Sequence, residues 1–306
     1  MPYQGNPELI SNLIKKRQLL QQGDPAHKKI RPLLLIMSGG AGGGVLGAGA
    51  AMGLVEMNLV WAFDTVLGIS TGAGIGAYIL CGKENASLGA SIYYEECCTL
   101  KFFNPFRVPM VNIDFIETLL RNGRKALDLT RLQESRPEFW VAANHSETGD
   151  LIFIDAKSAK PDTIAAVKDA IALPGRLYGK PVKVDEIPLL DNFSAPFPAK
   201  EICARFQPTD ILVIANATAD KWEQRSPVFH ERLLFRDLPR KFREKLQERT
   251  KRFHEGREFL ASLVGINIGV IFAPYDNWLF NWRGKRFFAA YQAAQDDLLR
   301  SLLHFR

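Results

Sequence analysis

The sequence predicts an α/β fold, three layers deep (α/β/α), with helices on both faces of a mostly parallel central sheet. Three observations carry that prediction. Leu33–Met37 is an uninterrupted apolar run ending in Ser38-Gly39-Gly40, and Thr65–Ile69 is a second uncharged run ending in Ser70. Each is followed by small and apolar residues of helical character, so the order is strand, loop, helix, strand, sharp turn, helix. Parallel strands joined by crossover helices require that order, and strands covered on both faces read as continuous apolar runs. Finally, 306 residues with 47% hydrophobic, 10% aromatic and 24% charged side chains can bury a large core, which excludes a disordered, collagenous or disulfide-scaffold chain.

Residues 8–22 set Leu9, Ile10, Leu13, Ile14, Leu19 and Leu20 on a short amphipathic helix closed by Gly23-Asp24-Pro25, giving a packed N-terminal helical leader over residues 1–30. No repeat or linker divides residues 31–306, which read as one domain. Within it, residues 45–56 form a helix after the first strand, and residues 71–82 form a buried one after the second. Residues 90–135 are mainly helical, broken at Asn104-Pro105 and Val108-Pro109, and their aromatic side chains suit a cover over a site. Residues 139–143 and 151–155 are strands joined by a turn, and 163–172 form a helix stopped by Leu173-Pro174-Gly175. Residues 176–200 read as Pro-rich loop and 210–216 as a buried strand. The chain then runs mostly helical over 228–264, apolar and β-branched over 266–273, and closes as a helix over 286–303.

The chain carries 39 Lys and Arg against 33 Asp and Glu, a formal charge of +6. Between Lys221 and Arg257, twelve cations stand among six acids. Such a field attracts anionic surfaces, although a solvated helix face laced with Glu–Lys pairs is the plainer explanation. No nucleic-acid-binding signature accompanies it. The four cysteines form no C-x-x-C pair, and no His, Asp or Glu cluster has metal-ligand spacing. Neither a metal nor a cofactor is expected, and the thiols read as reduced in a cytoplasmic-type compartment. No signal peptide is visible, and the uncharged stretches 32–55, 65–82 and 259–275 are divided by glycines or at the lower length limit for a span, so no transmembrane segment is expected.

The sharpest chemical signal is Gly68-Ile69-Ser70-Thr71-Gly72, a G-x-S-x-G between a strand and a helix. Gly68 and Gly72 permit the strained turn of a nucleophile elbow, which lifts Ser70 Oγ out of the sheet and aims the next helix at developing negative charge. The bland alternative leaves both glycines as packing contacts and Ser70 as a helix cap. Upstream, Gly39, Gly40 and Ala41 open a glycine loop at the neighbouring strand end, where main-chain N–H groups can line an oxyanion hole. The same loop holds Gly42-x-Gly44-x-x-Gly47, with Asp64 22 residues past Gly42, the pattern of a dinucleotide-binding oxidoreductase. Against that alternative, the strand ends early and the Ser70 elbow goes unexplained.

On these residues the chain resembles the patatin-like phospholipases and acyl hydrolases, in a compact bacterial-type form. Gly39-Gly40-Ala41-Gly42-Gly43-Gly44 answers to the family's G-G-G-x-R-G loop, and residues 68–72 answer to its nucleophile elbow. Asp169-Ala170-Ile171-Ala172-Leu173-Pro174 stands at its A-S-x-A-x-P block, and Asp191-Asn192-Phe193 at its D-G-G. The resemblance spans about residues 32–215 and places Asp191 121 residues after Ser70. Its departures are Gly43 for arginine, Asp169-Ala170 for Ala-Ser, and Asn192-Phe193 for Gly-Gly.

What the resemblance implies is a patatin-like hydrolase fold without a cofactor and a catalytic Ser70–Asp191 dyad. Ser70 would attack an acyl ester, Asp191 would take its proton, and the N–H groups of Gly39, Gly40 and Ala41 would hold the oxyanion. The implied substrate is an acyl-ester lipid or lysophospholipid, with room for peripheral contact at an anionic membrane surface. A catalytically inactive, lipid-binding descendant of the fold is the other outcome the departures allow. His230 and His254 follow Asp191 in the order of an α/β-hydrolase triad, but both fall in charged helical sequence where a surface or capping role is plainer.

Overall fold

The computed structural model describes residues 3–30, 32–223, 234–275 and 284–303. The strands are β1 (Tyr3–Gly5), β2 (Leu33–Met37), β3 (Thr65–Ile69), β4 (Glu138–His145), β5 (Leu151–Asp155), β6 (Val182–Val184), β7 (Ile187–Asp191), β8 (Asp210–Ile214) and β9 (Asn267–Ile271). They share one sheet in the order β1-β9-β8-β2-β3-β4-β7-β6, with β5 also paired to β4. The two apolar runs first read as strands are β2 and β3, and they lie side by side in parallel.

The sheet is mixed, which corrects the expectation of a mostly parallel one. Its centre, β9-β8-β2-β3-β4, is parallel, while β1, β5, β6 and β7 all pair antiparallel. The β4–β5 and β6–β7 pairs are hairpins whose short turns need no crossover helix. The second of these lies inside residues 176–200, read from sequence as loop. Pro188 argues against a strand on sequence alone, yet here it sits opposite Lys183 in the terminal hairpin of the sheet.

The helices are α1 (Pro7–Gln21), α2 (Gly44–Glu56), α3 (Thr71–Leu80), α4 (Lys83–Ser91), α5 (Ile113–Arg121), α6 (Leu129–Glu134), α7 (Thr163–Ile171), α8 (Ala199–Phe206), α9 (Ala219–Glu223), α10 (Arg240–Gln247), α11 (Arg249–Ser262) and α12 (Gly284–Leu303). Side chains of β2 alternate between two cores: Leu33, Leu35 and Met37 pack with α1, α2, α3, α7 and α12, whereas Leu34 and Ile36 pack with α8, α9 and α11. That is the expected three-layer arrangement. The leader helix belongs to it, since Leu9, Ile10 and Leu13 are fully buried and Lys16 ion-pairs with Asp64 at 2.5 Å. On the same face α12 crosses α2 closely; a Cβ on Gly49 would sit 2.2 Å from the Tyr291 carbonyl oxygen.

Candidate active site

The C-terminal ends of β2, β3 and β8 lie together, because Met37 pairs with Gly68 on one side and Ile214 on the other. The chain leaves β3 through Ser70, whose φ of 53° and ψ of −128° are costly for a residue with a Cβ. The flanking glycines make the turn possible by close approach. A Cβ on Gly72 would fall 2.0 Å from the Met37 carbonyl oxygen, and one on Gly68 would fall 2.3 Å from Ala73 Cα. The strained serine thus stands at the N-terminus of α3, as a strand–turn–helix elbow requires.

The glycine loop runs directly against it. An ideal Cβ on Gly39 would lie 2.8 Å from Ser70 Cβ and 3.5 Å from Ser70 Oγ. Among the described residues, the N–H groups of Gly39 and Gly40 donate to no other group, and Ala41 has a φ of 48°. Asn216, just past β8, braces the loop from behind. Its Nδ2 donates to the Ser38 carbonyl oxygen at 2.6 Å, and its side chain fills the space beside Gly40 and Gly47. Sequence reading missed Asn216; its one signal was a polar residue closing the apolar run 210–216.

Asp191 reaches the elbow through sheet register. β3 pairs with β4 up to Ile69 opposite Ala142, and β7 pairs with β4 from His145 back to Asp191 opposite Ala143. Because β5 occupies the other edge of β4 across residues 140–144, β3 and β7 share one edge and meet head to head. Ile69-Ser70 and Asp191 are therefore neighbours across a strand junction, although 121 residues separate them in the chain. Asp191 is buried, and its N–H donates to the Ala172 carbonyl oxygen at 3.0 Å. The loop beyond it is locked by buried side chains: Asn144 Nδ2 donates to Asn192 Oδ1 at 3.1 Å, and the Ser194 N–H donates to Asn144 Oδ1 at 3.0 Å. Neither Asn192 nor Phe193 has a positive φ, so the Asn-Phe pair fits where the family pattern has Gly-Gly.

A second buried carboxyl accompanies the first. Asp169, on α7, is fully buried, and neither of its oxygens has a hydrogen-bond partner among the described residues. Burial, reinforced by the nearby charge of Asp191, holds its carboxyl well above the usual carboxylate range. Its main chain is tied to the same junction, since Ala172 donates to the Asp169 carbonyl oxygen while accepting from Asp191.

From Ser70 a cavity runs between α3, α5 and α7. Its wall is almost wholly apolar, with Ile75, Ile79, Ile116, Leu120 and Ile171 among the lining side chains. Cys97 also lines it, and burial pushes that thiol up, so it is held in its neutral, unreactive form.

The dinucleotide pattern is not brought together. Asp64 precedes β3, whereas the glycine loop follows β2, and the two strands are parallel, so they lie at opposite ends of the sheet. Asp64 is instead bound by Lys16, by Arg136 at 2.7 Å and by the Leu33 N–H at 2.9 Å. Gly44 and Gly47 serve packing against Thr71 and Asn216. Of the histidines, His230 lies outside the described residues, and His254 sits on α11 with its ring edge-on to Phe253.

No family model matches the chain, and no curated protein matches it. Among solved structures, VipD from Legionella pneumophila is 11% identical, with a TM-score of 0.42 over 89% of this chain and 67% of that one. The type III effector ExoU is 13% identical, with a TM-score of 0.38 over 89% of this chain and 53% of that one. ExoU bound to SpcU, from the type III secretion system of Pseudomonas aeruginosa, gives the same identity and TM-score over 90% of this chain. The chain thus spans about half the length of ExoU.

Proposed function

We propose that the chain is a serine acyl hydrolase in which Ser70 is the nucleophile and Asp191 the general base. The observation that supports this reading is the head-to-head meeting of β3 and β7, whose adjoining ends carry a buried aspartate and a strained serine that lines an apolar cavity. Asp191 accepts the Ser70 Oγ proton as Oγ bonds to the acyl carbon. The main-chain N–H groups of Gly39, Gly40 and Ala41, with the α3 N-terminus, stabilise the oxyanion. Collapse of that intermediate expels the alcohol, which leaves with the proton from Asp191. Water, deprotonated by Asp191, then releases the acid from acyl-Ser70. The cavity's apolar wall favours a long acyl chain, hence an ester lipid or lysophospholipid reached by peripheral contact with a lipid surface.

A fluorophosphonate probe tests the nucleophile. Labelling of the parent, abolished by Ser70→Ala, is expected, with ester turnover falling by at least roughly 10⁴-fold in Ser70→Ala and in Asp191→Asn. Turnover that survives both substitutions overturns the dyad. No labelling, with lipid still bound in the cavity, would instead identify a binding protein that keeps the hydrolase fold without its chemistry.

A further inference from the structure

Residues 97–112 contain Lys101 and Arg107 but no Asp or Glu. This segment leaves the cavity wall at Phe102 and rejoins it at Ile113. Between them the chain makes a hairpin-like excursion with a firmly tied base. Phe103 bridges to Val111, the Asn104 N–H donates to the Met110 carbonyl oxygen at 2.8 Å, and the Asn112 N–H donates to that of Phe102 at 2.7 Å. Met110 and Val111 donate in turn to the carbonyl oxygens of Arg176 and Leu177, fastening the excursion along a second side.

Its tip is unusual for a tied loop. Phe106 is 94% exposed, Val108 67% and Leu100 58%, the largest cluster of exposed apolar side chains on one short segment among the described residues. Asn104 Oδ1 accepts the Phe106 N–H at 3.0 Å, which holds the projecting turn in shape. Lys101 and Arg107 are exposed beside it, and neither forms an ion pair among the described residues. The basic stretch near the C-terminus differs in part. Among its described residues, Arg240 pairs with Glu244, Lys245 with Asp150, Lys251 with Glu255 and Arg252 with Glu201. Its Lys241 and Arg243, exposed and without an ion pair among the described residues, have no exposed apolar side chain of the Phe106 kind beside them.

We infer that the hairpin of residues 100–110 seats the protein on an anionic phospholipid surface. Phe106 and Val108 enter the boundary between headgroups and acyl chains, and Lys101 and Arg107 meet the headgroup phosphates. A narrow apolar tip ringed by cations offers little flat area to a protein partner, but a fluid interface closes around it. Because two cavity-wall residues flank the hairpin, seating it brings the cavity beside the bilayer, so an acyl chain need not cross water to reach Ser70. The inference rests on the acyl-hydrolase reading for its purpose, though lipid binding is measurable without turnover.

The test uses the full chain carrying Ser70→Ala, sedimented with vesicles of phosphatidylcholine alone or mixed with phosphatidylserine. Binding to the mixed vesicles, weakened by added salt, is expected. Phe106→Asp lowers it roughly tenfold or more, and Lys101→Glu and Arg107→Glu lower it about fivefold each. Val264→Asp, at a side chain 96% exposed elsewhere on the surface, leaves it unchanged. Absence of vesicle binding, or equal losses in Phe106→Asp and Val264→Asp, overturns the inference. Turnover of a short soluble ester by the chain with Ser70 intact separates the two readings: normal turnover without vesicle binding sinks only the hairpin, and vesicle binding without turnover sinks only the hydrolase.

Discussion

Asp169 makes the stability of this fold depend on pH in a direction opposite to that of an ordinary paired carboxylate. In the unfolded chain its carboxyl ionises near 3.8, whereas burial first, and the charge of Asp191 second, raise that value in the folded protein. Above about pH 4 the folded state therefore keeps a proton that the unfolded state has lost. Stability is full below that point and falls as pH rises, with a slope approaching about 1.4 kcal/mol per pH unit until the folded carboxyl itself ionises. Asp169→Ala removes the group. It leaves a hole on the order of 40 Å³, which at about 24 cal/mol per Å³ costs about 1 kcal/mol. Against this, relief of an unpartnered buried polar group is worth about 1–3 kcal/mol.

The variant is accordingly expected to be near parity with the parent at pH 4 and to become the more stable of the two as pH rises towards 7. Urea unfolding of both proteins across that range reads the difference directly, provided the m-values agree. Asp191→Asn tests the second cause, because removing that charge narrows the pH window over which the parent loses stability. Parent and Asp169→Ala curves that run parallel from pH 4 to pH 8 would refute the reasoning, since the carboxyl would then ionise alike in both states.

Three further outcomes follow from the same geometry. Gly39→Ala puts a methyl group 2.8 Å from Ser70 Cβ, so the elbow must shift: ester turnover should fall by about 10²-fold or more and the thermal midpoint should fall with it; unchanged turnover would remove the loop from the oxyanion site. Gly74 lines the cavity and has open space around its Cβ position, so Gly74→Ala should stabilise by about 0.5–1 kcal/mol in thermal unfolding, and Gly74→Phe should depress turnover of long-chain esters more than short ones. Asn216→Ala breaks the 2.6 Å bond to the Ser38 carbonyl oxygen and should lower kcat more than it raises KM, which steady-state rates on a soluble ester would show.

The legible parts of the sequence were those whose meaning is local. β2 and β3 declare themselves because strands buried on both faces must be apolar throughout, and the Ser70 elbow does so because only small residues survive where α3 crowds Met37 and Gly68. β7 was hidden by Pro188, and its value lies in a register with β4 that no window of sequence contains. Asp64 misled for a related reason. Its spacing from the glycines suited a ribose, but spacing along a chain does not say at which end of a parallel sheet a residue emerges.

The three departures from the patatin-like pattern bear unequally on the proposed activity. Gly43 has helical φ and ψ of −63° and −17°, and a Cβ there would lie 3.2 Å from the Asn216 carbonyl oxygen, so the brace behind the glycine loop leaves little room for arginine. Asn192 and Phe193 replace glycines at positions that need no left-handed backbone, and Asn192 contributes a buried hydrogen bond to Asn144 that a glycine could not make. Both exchanges are thus matched by their surroundings. Asp169 alone introduces a potential charge into the junction, where a second carboxylate would oppose ionisation of the proposed base. Holding its proton removes that opposition, so a neutral Asp169 leaves a single negative charge for Ser70 to work against. The same burial that costs the fold stability above pH 4 would thus spare the proposed Ser70–Asp191 dyad a second negative charge.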